Sequence, residues 1–491
     1  MKPVLLALCL VTPLLAGCAV GPDYMTPDFG MPQKWSSDRH QPAQALELAQ
    51  WWRNLGDQQL AQLIGEAVAG NLDVAAAKAR IRKARATQRQ AVGALFPTVS
   101  GSGSATENRS AASSTSGIAI APATYSQYQA GFDSSWELDL FGANRRAVEA
   151  ATYGVDAAED DLRATLLTLV GDVASYYIDA RAYQARVALA RRTAASQRET
   201  AALTERKQNA GSASAVDTAK ASALAASTEA TIPTYESSYQ QSVHRLGVLL
   251  GRDPTALSLR LSLVTAIPSP RLPLPKGIPA DVLVMRPDVR KAERQLAQYT
   301  AKIGQATAAL YPDVNLTGSV STTALRLGDL GKNSTIGWSI GPSVSVPIFN
   351  GGKLQAAVEV AEAQRDEYHV AWRNAVLSAL EDVENAIVNL SQERLRIRSL
   401  TESARRYGEA ARLSRSLYET GSSTFLDVLD AERSQFTAED NLLASRATLA
   451  KNYVALAKAL GGGWTGPIDS SRPEVVDSGT WPHLAQSAEP K

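Results

Sequence analysis

Four short stretches of the chain alternate apolar and polar residues with a period of two. Tyr128, Ala130, Phe132, Trp136, Leu138 and Leu140 share one face of the second stretch, and Gln127, Gln129, Asp133, Ser135, Glu137 and Asp139 share the other. Further on, Val314, Leu316 and Val320 alternate with Asn315, Thr317 and Ser319. Ile336, Trp338, Ile340, Val344, Val346 and Ile348 alternate with Gly337, Ser339, Gly341, Ser343 and Ser345. The first stretch, Thr98 to Thr106, keeps the phase weakly, with Val99 and Ala105 opposite five hydroxyl residues. This period predicts β-strands with one apolar and one polar face, over residues 97–107, 126–140, 312–322 and 335–348. Polar loops join them into two hairpins.

Each hairpin is followed by a long stretch with a helical repeat. Asn144 to Asn209 and Gly352 to Thr420 contain no proline, and each predicts a helix about 100 Å long at 1.5 Å per residue. Leu162, Leu166, Leu169, Val173, Tyr176, Ala180, Tyr183 and Val187 follow the four-three spacing of a coiled-coil seam, and Leu166, Val170, Val173, Tyr177 and Ala180 form a second seam overlapping it. The second long stretch shows Val376, Leu380, Val383, Ile387, Leu390 and Ile397, broken by Arg394. Two seams suit a stave of a helical cylinder with a neighbour on each side; one broad stripe in a bundle is the alternative. The return paths are shorter helical stretches, 212–250 and 422–460, complemented by 287–310 and 57–95. Each full-length helix therefore has two half-length partners stacked end to end.

The order repeats. Ala94-Leu95-Phe96-Pro97-Thr98-Val99 returns as Ala309-Leu310-Tyr311-Pro312-Asp313-Val314, and Leu140-Phe141-Gly142 as Ile348-Phe349-Asn350. Gly211-Ser212 with Asp217 returns as Gly421-Ser422 with Asp427, and Leu250-Gly251 as Leu460-Gly461. Similar shifts in the same order predict two similar halves. The first covers residues 57–251, with its helical hairpin at 143–250. The second covers 286–461, with its hairpin at 352–460. A proline-rich linker at 252–285 joins them, an N-terminal segment at 18–56 precedes them, and a tail at 462–491 follows.

The N-terminus separates a soluble sandwich from a membrane barrel. Lys2 and the apolar run Val4 to Ala16 read as an export signal over residues 1–17, too short to span a bilayer. Leu15-Ala16-Gly17-Cys18 resembles the bacterial lipobox, which predicts a diacylglyceryl group and an N-acyl chain such as palmitate on Cys18. Ala19 rather than Asp in the next position favours the outer membrane. An ordinary signal peptide with a chance cysteine is the alternative. Cys9 leaves with the signal, so the mature chain forms no internal disulfide. Exported strands of about 9–14 residues, against the 9–11 that a tilted transmembrane strand needs, point to the barrel. Four strands cannot close one, and open edges are forbidden in lipid, so the chain is expected to share its barrel with copies of itself. The fold class is an α+β membrane protein.

Charge adds mainly exclusions. With 50 basic and 49 acidic residues there is no nucleic-acid-binding excess. The four histidines (His40, His244, His369, His483) have no paired-ligand spacing. No phosphate loop, nucleophile elbow or triad occurs, so neither enzyme, metal site nor further cofactor is expected.

Several motifs together resemble the outer-membrane factor family, the TolC- and OprM-like channels, and within it the NodT-type lipoproteins of RND efflux systems. They are the lipobox followed by Val20-Gly21-Pro22-Asp23-Tyr24; Trp51-Trp52 before Asp57 and Leu60; Asn71-Leu72-Asp73 with Ala84; Arg286-Pro287-Asp288-Val289-Arg290 with Ala292-Glu293; and Gly421 with Asp427-Val428-Leu429-Asp430-Ala431. The likeness runs from Cys18 to about Gly463. It implies a homotrimer with a transmembrane barrel in the outer membrane, four strands per protomer, continuing into a periplasmic helical barrel. The partners implied are a periplasmic adaptor, an inner-membrane RND pump and outer-membrane lipid. The function implied is a passive conduit for drugs or other small molecules. A type I protein-secretion channel shares the fold, and a periplasmic coiled-coil adaptor or structural protein is the alternative of another class.

By the same resemblance, the helix tips form the periplasmic gate. Asp427 and Asp430 lie one turn apart and face the same way; in several copies they would ring an aperture and concentrate cations. Helix N-terminal charges stabilised by the dipole are the alternative. Leu426 would supply an apolar constriction. Tyr418 and Asp217 match positions that clamp the closed tip in relatives, although Ser423 stands where TolC carries an arginine.

Overall fold

The computed structural model describes residues 19–30, 49–111, 113–115, 118–120, 122–270, 283 and 286–473. Cys18, the signal and parts of the linker and tail lie outside them. The described chain forms two compact units. The first comprises Met1–Asp28, Ile81–Ala158 and Ala292–Trp372; the second comprises Phe29–Arg80, Glu159–Lys291 and Arg373–Lys491.

The first unit holds the sheet. Strands β1 (Thr98–Arg109), β4 (Thr124–Glu137), β5 (Asp313–Ala324) and β6 (Ile336–Ser345) are antiparallel in the order β1-β4-β5-β6. The β1–β4 connection carries a small pair, β2 (Ser113–Thr115) and β3 (Ile118–Ile120). Register sets the faces, because residues directly opposite share one. Gly101 opposes Phe132, which opposes Val320, which opposes Trp338; Trp136 opposes Leu316. Ser100 opposes Asp133, which opposes Ser319, which opposes Ser339. β4, β5 and β6 thus present one apolar and one polar face, whereas β1 contributes only Val99 and Ala105 beside Gly101 and Gly103 to the apolar side and ends there in Glu107 and Arg109. The apolar face is uncovered within the chain: Trp338 is 76% exposed and Ile340 70%. β1 and β6 each leave an edge unpaired in the chain.

β4 stops at Glu137, short of the expected residue 140, because Asp139 turns to other work: its carboxylate accepts from the Asn144 and Arg145 amides at 3.1 and 2.9 Å. β6 ends at Ser345, ahead of Pro347, whose ring nitrogen has no hydrogen for a ladder. Aromatic and apolar side chains gather at this end of the sheet. Phe141 stacks on Tyr311 at 4.7 Å, Trp136 donates to the Leu95 carbonyl, and Phe96 and Phe349 are exposed.

The helices are α1 (Gln58–Gly70), α2 (Leu72–Gly93), α3 (Ala143–Asn209), α4 (Ala215–Glu229), α5 (Thr231–Leu249), α6 (Ser258–Leu261), α7 (Pro287–Ala308), α8 (Lys353–Glu419) and α9 (Phe425–Ala459). Both long helices run unbroken for 67 residues. The expected single helix over 57–95 is instead two. Asn71 adopts an extended backbone, its Oδ1 accepts from the Asp73 and Val74 amides, and its Nδ2 donates to the Leu249 carbonyl. The expected 212–250 helix also breaks, at Ala230, where Pro233 in the first turn of α5 has no N–H to continue the ladder.

In α3 the second predicted seam is covered throughout, whereas Tyr176, Tyr183 and Val187 of the first are half-buried. In α8, Val376, Ala379, Val383, Ala386 and Leu390 are buried at three-four spacing. Leu377, Val388 and Leu395, on another side of α8, stay 52%, 44% and 54% exposed. Arg181 is a fully buried cation of the second unit. It donates to the carbonyls of Leu261 and Leu263 and to Gln184 and Gln59, and lies over the Tyr177 ring.

Candidate functional site: the helix tips

Two helical hairpins turn over at tips of the same design. Gly211 and Gly421 end α3 and α8 in the left-handed region, at φ +75° and +80°, where an L side chain is strained. The next amides close the turns: Ser212 donates to the Lys207 carbonyl at 2.8 Å, and Ser422 to that of Leu417 at 2.7 Å. Each following helix starts with a hydroxyl residue and an aspartate three positions on. Ser214 and Asp217 form a reciprocal capping box, with Asp217 N–H donating to Ser214 Oγ and Ser214 N–H to Asp217 Oδ2. At α9, Asp427 Oδ2 accepts from the Thr424 amide at 3.2 Å and from the Thr424 and Ser423 hydroxyls at 2.8 Å. The Thr424 and Ser423 hydroxyls, with the Thr424 amide, hold the exposed Asp427 carboxyl below the usual carboxylate range.

Of the other expected gate residues, Asp430 is exposed and pairs with Arg433 at 2.9 Å, and Leu426 is 60% exposed. Asp427, Asp430 and Leu426 thus lie together on the solvent side of the first turns of α9. The expected Tyr418–Asp217 clamp is not made within the chain. Asp217 is committed to Ser214, and the Tyr418 hydroxyl lies 3.4 Å from Thr204 Oγ1.

Tyr418 instead belongs to a small apolar core with Ala221, Phe425 and Val428, its ring edge-on to Phe425 at 5.8 Å. Lys207 Nζ lies 4.4 Å from the Tyr418 ring centroid and donates to the Tyr418 carbonyl. It thereby satisfies a helix-terminal acceptor and complements the dipole of α8. Farther from the turn, Arg415 donates to Ser196 O and Oγ (2.6 and 2.7 Å), to Thr200 Oγ1 (2.5 Å) and to Glu432 (2.9 Å). Thr200 also donates to Glu432 at 2.7 Å. Burial pushes the Glu432 carboxyl up, against the opposing pull of Thr200 and Arg415. A cavity of about 580 Å³ beside it is lined by Arg192, Gln197, Arg412 and Glu439, among others.

Sequence reasoning missed Lys207, Arg415, Glu432 and Phe425. The signal available was distance from the turn. Arg415 and Glu432 lie comparable distances before Gly421 and after Thr424, as do Tyr418 and Val428, so an antiparallel hairpin brings each pair together. Among the described residues no cluster of His, Cys, Asp and Glu could hold a metal.

Residues 63–252 and 278–462 match the family described as outer membrane efflux protein. The chain is 35% identical over 457 residues to nodulation protein T of Rhizobium leguminosarum bv. trifolii, covering 92% of this chain and 96% of that one. It is 33% identical to the toluene efflux pump outer membrane protein TtgI of Pseudomonas putida, over 92% of this chain and 97% of the relative. The solved outer-membrane channel OprN superposes with a TM-score of 0.84 at 34% identity, covering 91% of this chain and all of OprN. The chain belongs to the outer membrane efflux protein family and is an outer-membrane channel component with a periplasmic helical extension.

Proposed function

We propose that three copies assemble into a passive conduit from periplasm to exterior, each contributing its four-stranded sheet to one transmembrane barrel. The observation that carries this reading is the sheet itself. It has an uncovered apolar face, a mainly polar opposite face and two open edges. Unpaired edges are not tolerated in lipid, and three sheets bring enough strands to pass the about eight at which bacterial barrels close. Aromatic residues at one end of the sheet, Trp136, Phe141, Tyr311 and Phe349, suit the inner girdle of such a barrel. The uncovered Leu377, Val388 and Leu395 on α8 suit contact with the neighbouring protomer in a helical barrel.

The chain is read as a duplication, with one half over 57–251 and the other over 286–461. Both halves run strand hairpin, 67-residue helix, glycine turn and hydroxyl–aspartate helix start. Cys18 carries the acyl anchor. Asp427 and Asp430, repeated three times at the periplasmic mouth, form an acidic ring that favours cations, with Leu426 beside it. The Tyr418–Phe425–Val428 core and Lys207 hold each pair of tips together in the resting state. A periplasmic adaptor and an inner-membrane pump complete the system, and the pump chooses among small-molecule cargoes; nothing in the channel's own residues calls for catalysis.

Single-channel conductance in planar bilayers tests this, with an Asp427→Ala/Asp430→Ala double variant alongside. A small cation-selective current that loses its selectivity in the variant is expected. Equal selectivity in both sinks the acidic ring. Failure to form detergent-stable oligomers sinks the shared barrel.

A further inference from the structure

Residues 19–24 form no helix or strand, yet they are seated closely against the first unit. A chain without secondary structure must find backbone partners elsewhere, and here two of three come from one side chain. The Val20 amide donates to the Phe141 carbonyl at 3.1 Å. Arg146, in the first turn of α3 and 5% exposed at its side chain, donates from Nε to the Val20 carbonyl and from Nη2 to the Gly21 carbonyl, both at 3.2 Å. It also reaches Asp23 and Glu149, each at 2.7 Å. Gly21 has φ +90°, and a Cβ there would lie 2.3 Å from Gly304 Cα in α7; a Cβ on Gly304 would lie 2.8 Å from the Val20 carbonyl oxygen. Only glycine fits on either side of that contact. Tyr24 closes the seat, donating to Glu293 at 3.0 Å and standing edge-on to Tyr153 at 5.8 Å.

We propose that Arg146 is a positioning residue that fixes the chain immediately behind Cys18 at one height beside Phe141, so that acyl chains on Cys18 enter the bilayer at the level of the aromatic girdle. This rests on the reading of Cys18 as lipid-bearing. Cys18 and Ala19 are adjacent, with Cα atoms about 3.8 Å apart, so a seat that immobilises Val20 leaves the anchor little vertical freedom. Flexible coil would let the lipid wander over several residues' reach. The guanidinium suits the task because its planar fork serves two carbonyls and two carboxylates at once, which a lysine cannot reproduce.

The test places a nitroxide at Met25, which is 83% exposed, through Met25→Cys in the full-length protein reconstituted in vesicles. Label depth is read by relaxation with oxygen against an aqueous nickel chelate. Amide exchange of residues 20–24 and acyl mass on the N-terminal peptide are measured on the same samples. The backgrounds are wild type, Arg146→Met, Arg146→Lys and Asp23→Ala, the last leaving the packed helices untouched. Expected are full acylation in all four, one narrow depth in wild type, and at least tenfold faster exchange with a broadened depth in Arg146→Met. Asp23→Ala should fall between these, and Arg146→Lys should recover only part of the protection. Full acylation with unchanged depth and exchange in both Arg146→Met and Asp23→Ala overturns the positioning role alone. No acyl mass in wild type overturns the lipid reading, and this proposal with it.

Discussion

Phe425→Ala tests what holds the tips shut. Phe425 is 4% exposed, sits edge-on to Tyr418 and packs with Val428 (0% exposed) and Ala221. Truncating a buried phenylalanine costs about 3–5 kcal/mol, because the ring's transfer energy is lost and the site collapses only partly. This core is small and lies at a tip, where relaxation is easy, so the low end, about 3 kcal/mol, is the better expectation. If the core exists in the resting state and is dismantled on opening, that penalty falls on the closed state alone. It would then shift the closed-to-open ratio by about 150-fold, at 1.4 kcal/mol per decade. In planar bilayers the variant should open far more often, or to a larger conductance, than the parent at the same voltage. Thermal dissociation of the detergent-solubilised oligomer, measured in parallel, shows whether assembly survives. Unchanged conductance from intact oligomers that dissociate at lower temperature would refute the reasoning, since the core would then be packing common to both states.

Other consequences follow from the same contacts. Arg415→Met should destabilise the tip by about 3–5 kcal/mol, since it leaves Glu432 buried without its cation, whereas Glu432→Gln should cost much less; thermal melts of the two variants decide. The pH dependence of those melts has a definite sign. The folded Glu432 pKa is raised, so its contribution is fully present below the unfolded carboxylate value and is lost as pH rises through the folded one; Glu432→Gln should flatten that slope. Asp427 behaves in the opposite sense. Its depressed pKa keeps it charged as pH falls below the usual carboxylate value, so cation selectivity should persist into acid and fade earlier in Thr424→Val, as reversal potentials would show. Asn71→Ala removes the acceptor for two amides that start α2 and the donor to the Leu249 carbonyl; a loss of about 1–2 kcal/mol is expected, read by hydrogen exchange at Asp73 and Val74.

The strands and long helices were legible because their periods are strict. Strong alternation from Tyr128 onward placed β4 within a few residues, and an absence of proline over 144–209 marked α3. Boundaries were lost where one side chain competes with the ladder: Asp139 leaves the strand pattern to cap a helix, and Asn71 and Pro233 break helices whose apolar spacing runs on past them. At the tips, that Asp427 and Asp430 share an exposed face was readable from their spacing along one helix. The place of Thr200 in the Arg415–Glu432 network was not, because Thr200 lies more than 200 residues from both and meets them only when two hairpins pack. Tyr418 and Asp217 do not pair within the chain. Ser214, three residues before Asp217, holds one oxygen of its carboxylate, a local contact that helix-tip spacing alone did not flag.

The polar face of the sheet is mostly small hydroxyls and glycine. Thr98, Ser100, Ser102 and Ser104 on β1 share it with Ser319 and Ser321 on β5 and with Ser339, Gly341 and Ser343 on β6, and Asp133, Glu137 and Asp313 supply its only charges. Apart from Tyr125 at the loop end of β4, such a surface has no aromatic plane on which a solute could stack, and it offers a short, readily rehydrated handle at most positions. A solute crossing it would meet shallow, evenly spaced wells and would not dwell. A wall this indifferent need not be redesigned when the cargo changes, so one outer component can serve successive generations of pumps while discrimination evolves elsewhere.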